Sequence, residues 1–188
     1  MKKIVENAKK LMEIQLEKNK APNIYLIDIA IKKWVELAKI YWENEDIIVI
    51  SIYLSHTIFN QDWDGAVQKN HQSLSAEFVN DYLDKWGVEK ESKKIIMWAI
   101  KNHHNTYSNN TIEEIVRNAE CFKFVSLEWA LIRFYELWAR WVEIKEWISK
   151  VFYKMKQKQS LLSLKECINE AEIEIKKIEE LFNIIEIW

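Results

Sequence analysis

The chain holds four histidines, His56, His71, His103 and His104, and none beyond position 104. Neutral imidazole is the commonest metal ligand and the usual general base near neutral pH, so four of them in one stretch are candidates for converging on a single site. A plainer role is open to most of them. His56, His103 and His104 each fall near the expected end of a helix, where a cation suits the negative end of the helix dipole. Adjacent helical residues point about 100° apart, so His103 and His104 are not both expected to face the other two.

The elements that must carry these imidazoles read as helices. Ile4, Ala8, Leu11, Met12 and Leu16 recur at three- and four-residue intervals over 3–19, with Lys and Glu opposite, and Pro22 ends that helix or opens the next. Ile27, Ala30, Ile31, Trp34, Val35, Ala38 and Tyr41 repeat the period over 24–42. Asn44 can cap a third helix, 47–59, whose first turn carries Glu45 and Asp46. Its run of Ile47, Ile48, Val49, Ile50, Ile52, Tyr53 and Leu54 would also suit a strand, but no hairpin partner with turn chemistry accompanies it. A buried central helix is therefore expected, with His56 near its end.

Further along, 60–70 reads as a loop, 71–86 as a helix stopped by Gly87, 89–104 as another helix, and 105–110 as a second loop. Thr111-Ile112-Glu113-Glu114 has the form of a capping box, in which hydroxyl and carboxylate satisfy the free amides of a helix start. One long helix is expected over 127–155, with Leu131, Phe134, Trp138, Trp141, Ile148, Phe152 and Met155 on one face and Trp129 and Trp147 off it. Ile168, Ala171, Ile175, Ile178, Phe182 and Ile185 give the last helix its stripe.

Composition limits the function classes. The 188 residues include 49% hydrophobic and 30% charged side chains, enough apolar surface for a core, which sets disorder aside. Two Gly and one Pro are too few for a glycine-rich nucleotide loop or for a sheet with many hairpins. With 27 Lys and Arg against 29 Asp and Glu, the net charge of −2 provides no basic stripe, and no nucleic-acid partner is expected. Cys121 and Cys167 lie far apart and read as free thiols of a reduced compartment. The first residues are charged before they are apolar, and no run approaches the length of a membrane span, so a cytoplasmic protein with no membrane partner is expected. The ten Trp read as core residues or as anchors of a homo-oligomer contact through the Trp-rich helices.

Several segments together resemble the HD-domain superfamily of all-helical metal-dependent phosphohydrolases. Tyr53-Leu54-Ser55-His56-Thr57-Ile58 is similar to that family's "A-L-L-H-D-I" signature at the end of an apolar helix. His71-Gln72-Ser73-Leu74-Ser75-Ala76 resembles its "H-x-x-x-(S/G)-A" helix start, and Ile100-Lys101-Asn102-His103-His104 its "I-x-x-H" helix end. The segment from Thr111 to Glu120 stands where the family has "T-x-E-x-x-x-x-x-D-A-D", with Asn118 and Glu120 at the two acidic places. The likeness covers roughly 24–135. It implies an all-α, HD-domain-like bundle of about seven to nine helices without significant sheet, as one domain over 1–188, the helices over 127–188 completing the bundle or forming an interface.

The same resemblance implies a divalent metal held by an early His, the His-Asp pair and a distant Asp, polarising a phosphoryl oxygen and activating a water. This chain departs from it. The early helix has no His, and Asp28 is its nearest polar candidate; Thr57 replaces the Asp of the pair; Glu120 replaces the distant Asp. His56 and Glu120 remain, with His71 as the third residue expected in catalysis and with Asp62, Asp64, and His103 or His104 available to complete the metal set. Two readings are carried forward. One is a phosphohydrolase for a nucleotide or small phosphate ester that uses Mn, Fe, Ni, Zn or Mg at an altered site. The other is a catalytically inactive HD-fold binding or interaction module with no cofactor.

Overall fold

The computed structural model describes residues 1–19, 22–58, 65–139 and 143–186. Among these there are nine α-helices, one short 3₁₀ turn and no strand, so the all-α expectation holds. The chain divides into two compact units, Met1–Arg117 and Asn118–Trp188.

The first unit contains α1 (Lys2–Asn19), α2 (Ile24–Tyr41), α3 (Glu45–Leu54), α4 (Gly65–Lys85), α5 (Lys90–Asn102) and the start of α6 (Thr111–Phe122). Its centre is α3, which packs against α1, α2, α4 and α5. The β-branched run is helical because a broad arc of it is buried: Ile47, Ile48, Ile50, Ile52 and Leu54 lie in the core, while Val49 and Tyr53 are half-buried. Asn44 caps it as expected, its side-chain oxygen accepting from the Ile47 N–H at 3.3 Å.

The structure departs from the periodicity in four places. Helix α3 stops at Leu54 instead of running to 59. Ser51 and Ser55 hydroxyls donate to the Ile47 and Ser51 carbonyls, and the Thr57 hydroxyl donates to Leu54 O, so side chains take over the final turns. Helix α4 begins at Gly65, inside the stretch read as a loop, so His71 sits within a helix and not at its start. Polarity there signalled an irregular backbone, yet Ala, Gln and Lys are good helix formers.

At α6 the capping residue is Asn110 and not Thr111. Its Oδ1 accepts from the Glu113 N–H at 2.9 Å, while the buried Glu113 carboxylate accepts from Asn109 N–H and from both Asn side chains. The box is thus the expected one displaced by a residue. The exit of α4 matches its motif: Gly87, at φ +72°, donates to Asp84 O and Val88 donates to Leu83 O, a Schellman closure that leads into α5.

The second unit contains the end of α6, a 3₁₀ turn (Lys123–Val125), α7 (Leu127–Trp138), α8 (Ile144–Gln159) and α9 (Lys165–Glu186). The fourth departure is here, where the single long helix expected over 127–155 is two helices. Glu143, in extended backbone at ψ 137°, precedes α8. The break explains why Trp147 lay off the common face. It packs edge-on against Phe134 of α7 and Phe182 of α9, with ring centroids 4.8 and 4.9 Å away, and its indole N–H donates to Arg133 O. Asn118 closes this unit: its Oδ1 accepts from both Ser163 and Leu164 N–H at the start of α9.

Two substitutions separate the observed α6 cap from the expected one. Asn110→Ala will cost about 1 kcal/mol in denaturant unfolding, whereas Thr111→Ala will stay within about 0.5 kcal/mol of the parent.

Candidate functional site

His56, His71 and His103 come together in the interior of the first unit. The three rings are buried, with exposures of 6%, 2% and 1%, and their centroids lie 5.2–5.3 Å apart. One ring nitrogen from each lies within 4.8 Å of the other two.

Each imidazole is brought by a different element. His56 sits in the turn after α3, and this turn is held from several sides. The Asn19 side chain of α1 donates to Thr57 O at 3.2 Å, Ile58 N–H donates to the Ser75 hydroxyl of α4 at 3.1 Å, and Thr57 bonds back to Leu54 O. His71 comes from α4, and Ser75, one turn on, lies on the same side of that helix. His103 follows the last residue of α5, and its Nδ1 lies 2.7 Å from Ile100 O.

That contact assigns the His103 tautomer. A carbonyl oxygen only accepts, so Nδ1 carries the proton and Nε2 presents a lone pair. The His71 Nε2 lies 3.2 Å from that lone pair and, without an ion between them, donates to it. Two nitrogens each about 2.0–2.1 Å from an ion at tetrahedral or right-angled positions stand about 2.8–3.4 Å apart, so the observed spacing fits a shared ion. A histidine whose other N–H is tied to a backbone carbonyl is the usual supported metal ligand.

His104 is half-buried and stands beside this group, its ring 4.3 Å from His103 and 5.1 Å from His71. The helical 100° rule does not separate the pair, because α5 ends at Asn102 and both residues follow it. Asp62 and Asp64 lie outside the described residues. Asp28 is exposed on α2, where its charge and that of Glu13 add to burial in holding the Tyr53 phenol above its ordinary pKa. Thr57 is fully buried with its hydroxyl turned to the backbone, so this side chain offers no carboxylate chemistry. Glu120 belongs to the second unit, is fully buried, and makes an ion pair with Lys123. Asn118, at the other acidic place of the sequence pattern, caps α9.

The sequence showed the histidines but not their supports. The Ile100 carbonyl leaves no trace in residue type, and the Asn19 contact joins distant positions. Ser75 was readable, four residues after His71.

No protein-family model matches this sequence, and no curated protein does. A crystal structure of an HD-superfamily hydrolase from Bacillus thuringiensis superposes with a TM-score of 0.75 over 98% of this chain and 96% of that one, at 16% identity. The chain has the HD-domain helical fold. The sequence resemblance carried by His56, His71, His103 and the segments around them therefore predicted the right architecture, and the three-imidazole group lies on that HD fold.

Long-range ¹H–¹⁵N NMR on the protein free of metal will show His103 protonated at Nδ1. Elemental analysis of protein purified without chelator is expected to find a divalent metal, reduced by at least about tenfold in His103→Ala, the usual scale of losing one ligand or its support. Equal metal in both proteins would sink the assignment.

Proposed function

We propose that this chain is an HD-type metal-dependent phosphohydrolase for a nucleotide or another small phosphate ester, working through an altered site whose nitrogen donors are His56, His71 and His103. The observation carrying this reading is the pair of buried Nε2 atoms 3.2 Å apart with a third imidazole beside them. Three imidazoles suit Zn, Fe, Ni or Mn better than Mg, which favours hard oxygen ligands. When bound, such an ion supplies a water of lowered pKa and a positive charge for a phosphoryl oxygen.

The protein's own groups set the conditions for that chemistry. His103 already presents its lone pair, so His71 alone of that pair must exchange its Nε2 proton for one at Nδ1 to become a ligand. The carbonyl of Ile100 keeps the His103 ring from turning. Burial of all three rings excludes bulk water and raises the effect of every charge placed among them. His104, half-buried at the edge, is placed to pass a proton between this interior and solvent.

One observation favours a second reading, an HD-fold binding module without catalysis. The position where the resemblance expects the Asp of the His-Asp pair holds Thr57, whose hydroxyl is engaged with Leu54 O.

A panel of nucleotides and phosphomonoesters, assayed with Mn, Ni, Zn and Mg in turn, decides between them. The phosphohydrolase reading expects metal-dependent release of phosphate that falls by about 10²-fold or more in His71→Ala, the scale of losing a metal site or acid–base partner. An inactive parent that gains metal and activity on Thr57→Asp would instead identify a decayed site. No metal uptake and no activity in either protein would leave the binding module.

A further inference from the structure

The second unit holds a concentration of buried positive charge that plays no part in the chemistry proposed for the histidines. The ammonium groups of Lys123, Lys154 and Lys158 lie 5.2, 5.3 and 5.2 Å from the centroid of the Phe124 ring. Lys123 and Lys158 are only 2% and 4% exposed, and Lys154 is half-buried. Lys rarely reaches such burial unless paired. Lys123 has Glu120. Among the described residues, neither Lys154 nor Lys158 forms an ion pair; Lys154 donates to the neutral amide oxygen of Gln157 at 3.1 Å.

The charges oppose one another. Burial first, and then the positive charge of Lys158, Lys123 and Arg133, holds the Lys154 amine down at about 8. Lys158 is lowered too, mainly by burial and also by Lys123, against the favourable fields of Cys121 and Glu120. The ring face attracts each cation by an amount that is small beside the cost of an unpaired buried charge. Arg133 is occupied with Glu136 at 2.9 Å.

We propose that Lys123, Lys154 and Lys158 form a binding site for a doubly charged tetrahedral oxyanion, a phosphate or the phosphate of a phosphomonoester. Three ammonium groups less the Glu120 carboxylate leave an excess of two positive charges around one ring, which a dianion neutralises. Lysine binds phosphate as a point charge, with three donors free to turn toward its oxygens. The site lies wholly within the second unit and does not depend on a metal at the histidines.

Isothermal titration calorimetry at neutral pH, with ionic strength held by sodium chloride, will test it with two probes, inorganic phosphate and adenosine monophosphate. The wild-type chain is expected to bind one phosphate saturably. Lys158→Gln and Lys154→Gln, which keep a polar tip and remove the charge, will each weaken binding by about tenfold or more, the value of one charge-assisted hydrogen bond. His103→Ala will bind phosphate as the parent does, which separates this site from the metal centre. Tighter binding of the nucleotide, in competition with phosphate, would identify a phosphomonoester as the source; tighter binding of phosphate would identify the free ion. Lys158→Gln removes an unpaired buried charge, so it will melt no lower than the parent without anion; if it fails to fold, Lys154→Gln carries the test. Absence of saturable binding of either probe, parental affinity in the folded Lys variants, or loss of binding in His103→Ala would overturn the proposal.

Discussion

A neutral imidazole has one hydrogen to give and one lone pair to offer, and three of them buried together cannot all be satisfied by chance. The bond from His103 Nδ1–H to Ile100 O settles the arrangement. It spends the donor of that ring on the backbone and turns its acceptor toward His71, making the interior of the first unit a place that attracts a proton or a cation. The turn after α3, held by α1 and α4 and by its own hydroxyls, keeps His56 beside the other two. An apolar α3, packed against α1, α2, α4 and α5, gives that turn a fixed point of departure.

Much of this was legible in the sequence, for physical reasons that differ by element. Long amphipathic helices announce themselves because one face must be apolar, and α1, α2 and α9 did so. Ends were harder. The polar stretch preceding His71 looked like a loop because composition reports solvation better than backbone geometry, and α4 begins inside it at Gly65. The gap between α7 and α8 was hidden since an apolar period ran through it; Trp147 signalled the break by falling off the face.

The histidines were visible as a group, and their convergence followed from the ordered resemblance of four segments to the HD pattern. Which nitrogen carries the proton was not visible, because the deciding partner is a carbonyl that every residue possesses. The acidic places of that pattern illustrate another limit. Asn118 and Glu120 read as members of a chemical motif, yet in the second unit the first caps α9 and the second neutralises a buried lysine. A motif position retains its place in the fold after its side chain has taken up a different duty.

The Schellman closure at Gly87 has a consequence for assembly. His71 and His103 stand on the two arms of a helical hairpin whose connection is only residues 86–89. The entropy lost in closing a loop grows with the logarithm of its length, so a short, geometrically fixed connection makes this encounter inexpensive. Two of the three imidazoles are therefore a local product of one supersecondary unit, brought together whenever α4 folds back on α5. His56 must come from outside that hairpin, and docking of the α3 turn onto Ser75 is the step that completes the group.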